Sequence, residues 1–103
     1  MHYVYILYSK KDKKMYTGCT YDLRARLEKH NAKKVVSTMN RTPLILIYYE
    51  AYTNKEDAYK REKWLKSGWG RNHLLKSLSK TLENLAGQYV SRSKKTSRRS
   101  NEK

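Results

Sequence analysis

The stretch from Tyr3 to Ser9 constrains this chain more than any other, because almost every residue in it is β-branched, aromatic or aliphatic. A run of that kind reads as a strand buried on both faces, since a half-exposed strand would alternate apolar with polar side chains. With 103 residues, the chain has room for one hydrophobic core, and any activity must sit on that single compact unit.

The elements after this strand can be placed by their punctuation. Lys10 to Lys14 make a polar turn, and Met15 to Thr20 return as the second arm of a hairpin, with Gly18 where a side chain would be unwelcome. Thr20 is placed to cap a helix over Tyr21 to about Lys34, on which Leu23 and Leu27 repeat at helical spacing. A basic loop ends at Thr42 and Pro43 and releases the chain into a third strand, Leu44 to Tyr52. Thr53 with Glu56 forms a capping-box pattern that opens a helix to about Ser67, where Gly68 and Gly70 interrupt it. A last helix is expected from about Asn72 to Leu85, with Leu74, Leu75, Leu78, Leu82 and Leu85 as its packing stripe. The fold class is therefore α+β: a small three-stranded antiparallel sheet flanked by helices, in the order β-β-α-β-α-α. The folded domain should span residues 1–85, and the serine-, lysine- and arginine-rich segment 86–103 reads as a basic disordered tail.

Charge narrows the partner. Lysine and arginine total 24 against nine acidic residues, a formal net charge of +15, of which +10 remains once the tail is set aside. Such a field calls for a polyanion, and nucleic acid fits it through phosphate neutralisation better than an anionic membrane surface does. A merely basic or ribosome-associated protein is the blander alternative. The longest apolar run, Leu44 to Ile47, is far too short for the roughly 20 residues of a membrane-spanning helix. A lone cysteine, Cys19, excludes an internal disulfide, and with no signal-peptide pattern at the N-terminus it points to a cytoplasmic protein.

Several polar residues stand where packing alone would not put them. Glu62 falls within the stripe of Ala58, Leu65 and Trp69, and a carboxylate at a core edge needs a positive partner. A single magnesium ion would serve, since it commonly takes only one or two protein carboxylates. A salt bridge to Lys66, Arg61 or another lysine would serve equally. Arg26 and His30 lie four apart on one helix face, suited to a phosphate and to proton transfer, or else simply to a solvated face beside Glu28 and Lys29. Tyr5 and Tyr16 stand in the two arms of the hairpin, where the alternative to catalysis is core packing with an exposed hydroxyl.

Taken together, these positions resemble the GIY-YIG nuclease family over roughly residues 3 to 75. Tyr3, Val4 and Tyr5 look like its first signature, and Tyr16, Thr17 and Gly18, with eleven residues from Tyr5 to Tyr16, look like the second. Asp22 to Leu27, with His30 and Asn31 close behind, resembles its arginine helix, and Arg61 to Lys66 resembles the helix that carries its metal-binding glutamate. Tyr3 stands in place of the name-giving glycine, Thr17 in place of isoleucine or valine, and Cys19 where some relatives carry a lysine. The short chain, with Gly70 and Arg71 after the glutamate, is similar to the family's small stand-alone members.

The resemblance implies a metal-dependent endonuclease acting on nucleic acid, DNA before RNA, in repair or processing. Glu62 would hold one Mg2+ or Mn2+ ion, Tyr5 or Tyr16 would orient or deprotonate the attacking water, His30 would assist proton movement, and Arg26 would stabilise the phosphate. Tyr5 is the favoured base and Tyr16 the orienting group. So small a domain has little surface for reading bases, which favours selection by nucleic-acid shape. The alternative is a weakly active or inactive binding module of the same fold.

Overall fold

The computed structural model describes residues 1–87. Three strands, β1 (His2–Ser9), β2 (Met15–Thr20) and β3 (Leu44–Tyr52), form one antiparallel sheet in the order β2-β1-β3. Helix α1 (Leu23–Asn31) joins β2 to β3, and α2 (Lys55–Lys66) and α3 (Gly68–Ser77) follow. Residues 79–87 are helical again. The α+β class and the element order agree with the sequence reading, and the expected tail lies outside the described residues except for 86 and 87, which continue the last helix.

β1 is the central strand, and Val4 to Ser9 are buried without interruption. Because successive side chains point to opposite faces, this strand feeds two cores. Val4 and Ile6 pack with Ala58, Leu65, Leu74 and Leu78 from the later helices. Tyr5 and Leu7 pack with Leu44 and with Leu23 and Leu27 of α1. Because β1 is central, Tyr5 stands opposite both Gly18 on β2 and Tyr49 on β3, and a register shift in the β1–β3 pairing follows between Ile6 and Leu7.

Helix boundaries depart from the expected ones by local hydrogen bonding. Asp22, not Thr20, caps α1: its carboxylate accepts from the Ala25 amide at 3.1 Å, while the Thr20 hydroxyl accepts from the Asp22 amide at 3.1 Å and shapes the turn before it. The helix ends at Asn31, short of Lys34, and Lys33 adopts a positive φ of 63°. Asn54 rather than Thr53 caps α2, accepting from the amides of Glu56 and Asp57. Gly68 and Gly70 open α3 instead of merely interrupting a helix, and Ser67 caps it through the Gly70 amide at 3.2 Å. The helix expected over Asn72 to Leu85 is broken at Leu78. Trp69 is 79% exposed, because the change of axis at Ser67 takes it out of the α2 stripe, and Leu75 also faces outward.

α2 is tied to β3 by a buried-edge network. The Glu50 carboxylate accepts two bonds from the Arg61 guanidinium, at 2.9 and 3.0 Å, and the hydroxyls of Tyr48 and Tyr52 donate to it as well. Arg61 also lies over the Trp64 ring, 5.0 Å from its centroid. Burial works to raise the Glu50 pKa, but the bonds from Arg61, Tyr48 and Tyr52 outweigh it and hold the carboxyl at about 2. A carboxyl depressed in the folded state adds stability that is complete above its unfolded value of 4.5 and is lost as pH falls toward 2. Acid titration followed by circular dichroism should therefore show stability falling through that window. Glu50→Gln should be less stable at neutral pH and lose less on acidification, and an unchanged acid profile in the variant would rule out this account.

Candidate active site around Tyr5

Tyr5 reaches its position because Gly18 lies opposite it on β2. A Cβ at position 18 would collide with Cζ and Oη of Tyr5 and would lie 3.0 Å from Cε1. The tyrosine ring thus fills the space that the glycine leaves. The Tyr5 side chain is buried, and its hydroxyl meets Nε2 of His30 at 2.8 Å.

His30 sits in the last turn of α1 and is fully buried. Its other ring nitrogen, Nδ1, lies 2.7 Å from the Thr38 hydroxyl. This overturns the solvated-face alternative for His30: Glu28 and Lys29 are exposed as expected, but α1 turns the histidine inward onto the sheet. Tyr16 completes an aromatic cluster, its ring centroid 5.2 Å from His30 and 6.4 Å from Tyr5. The Ser37 hydroxyl donates to the Tyr16 hydroxyl at 3.3 Å.

Two charges reach this cluster. Arg26, one turn before His30, is half-buried and forms no side-chain hydrogen bond or ion pair among the described residues. Its charge acts on Tyr5 and His30 alike. Glu62 approaches from α2, near both Tyr5 and Cys19. Its side chain is 22% exposed and its carboxylate pairs with Lys66 at 3.1 Å, which is the salt-bridge partner that the sequence offered as the alternative to a metal. Arg61 is excluded from that role because Glu50 holds it.

The protonation states follow from these surroundings. Burial, reinforced by Tyr16 and by the negative charge of Glu62, pushes the Tyr5 phenol well above its ordinary range, with Arg26 opposing. Burial, then the Arg26 charge, lowers the His30 pKa. The pair is therefore a neutral phenol hydrogen-bonded to a neutral imidazole near pH 7. Burial, and next Glu62, raise the Cys19 thiol.

The other four residues singled out in the sequence, Tyr16, Arg26, His30 and Glu62, thus lie about Tyr5, through a hydrogen bond, ring contact or charge. Thr38 was not singled out, because it lies in a basic loop whose pattern carries no sign of an inward-facing hydroxyl. Among the described residues no group of three or more histidine, cysteine, aspartate or glutamate side chains could hold a metal ion, and no helix is long and apolar enough to cross a membrane.

The chain matches the family model described as the GIY-YIG catalytic domain over residues 1–74. It is 40% identical to a UPF0213 protein of Staphylococcus haemolyticus, across 75% of this chain and 93% of the relative. It is also 40% identical to a UPF0213 protein of Clostridium perfringens, across 77% and 84%. The solution NMR structure of a UPF0213 protein from Bacillus halodurans is 37% identical, with 73% of this chain and 82% of that chain covered and a TM-score of 0.46. With Tyr5, Tyr16, Arg26, His30 and Glu62 all inside the matched span, this chain belongs to the GIY-YIG family.

Proposed function

We propose that this protein is a metal-dependent endonuclease that hydrolyses phosphodiester bonds in nucleic acid, DNA before RNA, selecting by shape rather than by sequence. The observation that carries this reading is the Tyr5–His30 hydrogen bond of 2.8 Å beside Arg26, a half-buried guanidinium with no acidic partner among the described residues. A phenol and an imidazole in that contact can move a proton, and a guanidinium without a carboxylate can take a phosphate. The formal charge of +15 supports a polyanionic substrate.

The donor set fits a hard divalent cation of the magnesium type: one carboxylate, on the largely buried side chain of Glu62, whose present counter-charge is the ammonium group of the exposed Lys66. Held by Glu62, Mg2+ or Mn2+ would polarise a non-bridging phosphate oxygen and stabilise charge on the leaving 3′ oxygen. Tyr16, whose hydroxyl accepts from Ser37, keeps its own proton available to orient the attacking water. The water oxygen bonds to phosphorus as the bond to the 3′ oxygen breaks. Its proton passes to Tyr5 Oη while the phenolic proton passes to His30 Nε2, so the histidine is the final acceptor and Tyr5 the conduit. The 3′ oxygen takes a proton from solvent, and Arg26 stabilises the charge on the phosphate oxygens.

The test is cleavage of labelled single-stranded, duplex and branched DNA, and of RNA, in magnesium, manganese or chelator. Cutting is expected with either metal and not with chelator. Tyr5→Phe, which keeps the ring over Gly18 but removes the conduit, should cut at least about 100-fold more slowly. Binding without cutting on every substrate would replace this reading with the binding module.

A further inference from the structure

The loop between α1 and β3 is fastened at both ends. The Asn31 side chain brackets Leu44, donating to its carbonyl at 3.0 Å and accepting from its amide at 2.8 Å. At the far end, the buried Ser9 hydroxyl donates to the Arg41 carbonyl at 2.6 Å, and the Arg41 guanidinium binds the Asp12 carboxylate and the carbonyls of Lys14 and Met15. Within the loop, the Thr38 amide donates to the Val35 carbonyl, and the Arg41 amide donates to the Thr38 carbonyl.

This strap inverts the usual order of burial. Val36 is 84% exposed, whereas Thr38, two residues later, is fully buried. Burying a hydroxyl while exposing a valine costs free energy unless the hydroxyl meets a partner that matters. That partner is His30 Nδ1, at 2.7 Å.

A neutral imidazole carries one N–H, and its position depends on which neighbour donates to the ring. The two neighbours of His30 are a phenol, Tyr5, and an aliphatic alcohol, Thr38. Burial weakens both acids, but the phenol remains the stronger donor of the two, so it donates to the lone pair of Nε2, leaving the proton on Nδ1 to be donated to Thr38. We infer that Thr38 is a positioning residue for catalysis, its Oγ1 holding His30 in the Nδ1–H form so that Nε2 faces Tyr5 Oη as the proton acceptor.

When the phenolic proton moves to Nε2, both N–H groups of the imidazolium keep an acceptor: Nε2–H on the Tyr5 oxygen and Nδ1–H on Thr38 Oγ1. The Ser9–Arg41–Asp12 fastening holds Thr38 in place for this. The catalytic consequence rests on the proposed proton path, but the tautomer is independent of it.

Long-range proton–nitrogen correlation spectra of uniformly 15N-labelled protein at neutral pH report the His30 tautomer directly. The parent and Thr38→Ser, which keeps the hydroxyl, should show protonated Nδ1 and unprotonated Nε2. Thr38→Val, nearly the same in shape, should shift toward the Nε2–H form or a mixture. In single-turnover cleavage Thr38→Val should slow the chemical step by about 10- to 100-fold with substrate affinity unchanged, and Thr38→Ser should recover most of the rate. A parent protein with protonated Nε2, or a Thr38→Val variant with an unaltered tautomer, overturns the inference. If the tautomers behave as expected while no protein cuts any substrate, the positioning of His30 stands and the nuclease reading falls.

Discussion

Glu62→Ala should lower metal-dependent cleavage by about 1,000-fold or more while leaving the fold intact. A divalent ion at a phosphoryl oxygen contributes several kcal/mol of transition-state stabilisation, and a loss of about 4 kcal/mol corresponds to about three decades in rate. The structural cost is small by comparison. The substitution removes a pairing with Lys66, whose side chain is 55% exposed, and helix-surface pairs of that kind contribute only about 0.3–0.5 kcal/mol. Nucleic-acid binding should hold or tighten, because a negative charge leaves a basic surface. Single-turnover kinetics, a binding titration and a thermal melt on the same preparation separate these effects. A variant that cuts as fast as its parent would remove Glu62 from the metal-holding role, and a variant that melts much earlier would give the residue a structural one.

Gly70→Ala should have the largest effect on stability. A Cβ at Gly70 would collide with the carbonyl oxygen of Trp64 and the Cα of Leu65, and would lie 2.8 Å from the Leu65 carbonyl carbon. These are backbone atoms, so no rotamer change relieves the collision, and α3 must move away from α2. Leu65 and Leu74, both buried in the same core cluster, would be drawn apart with it. Overpacking of this kind costs about 3 kcal/mol or more, which for a domain of this size lowers Tm by about 15 °C. Gly68→Ala is the internal control: nothing lies within 4 Å of its Cβ, and alanine is the better helix former. Equal melting temperatures for the two variants would show that the close approach of α2 and α3 at Gly70 is absent.

The two glycines also show how sequence and structure divide the information. Both read as a helix break, yet one tolerates a side chain and the other does not, because the difference is made by the α2 backbone that Gly70 meets. The capping residues shift for a similar reason. Thr20 and Asp22, like Thr53 and Asn54, are all capable acceptors, and the chosen one depends on the angle at which the preceding strand delivers the chain. Glu50 stands out in no sequence pattern and Arg61 reads there as a partner for Glu62; their pairing, eleven residues apart, exists only once β3 and α2 pack together.

What the sequence by itself determined is the set of properties carried by local pattern: a doubly buried first strand, a hairpin with a glycine where bulk is excluded, the order of the elements, and a strong positive charge. The spacing of Tyr5, Tyr16, Arg26, His30 and Glu62 also made the family resemblance legible, since element lengths preserve spacing. Only the tertiary structure decided that His30 is buried and not solvated, that its Nε2 meets the Tyr5 hydroxyl, that Lys66 pairs with Glu62, and that Thr38 turns inward from an exposed loop. Periodicity records which way a side chain leaves its own backbone. It holds nothing about the distant segment that the side chain will meet, and the protonation of a buried phenol and imidazole is set by that segment.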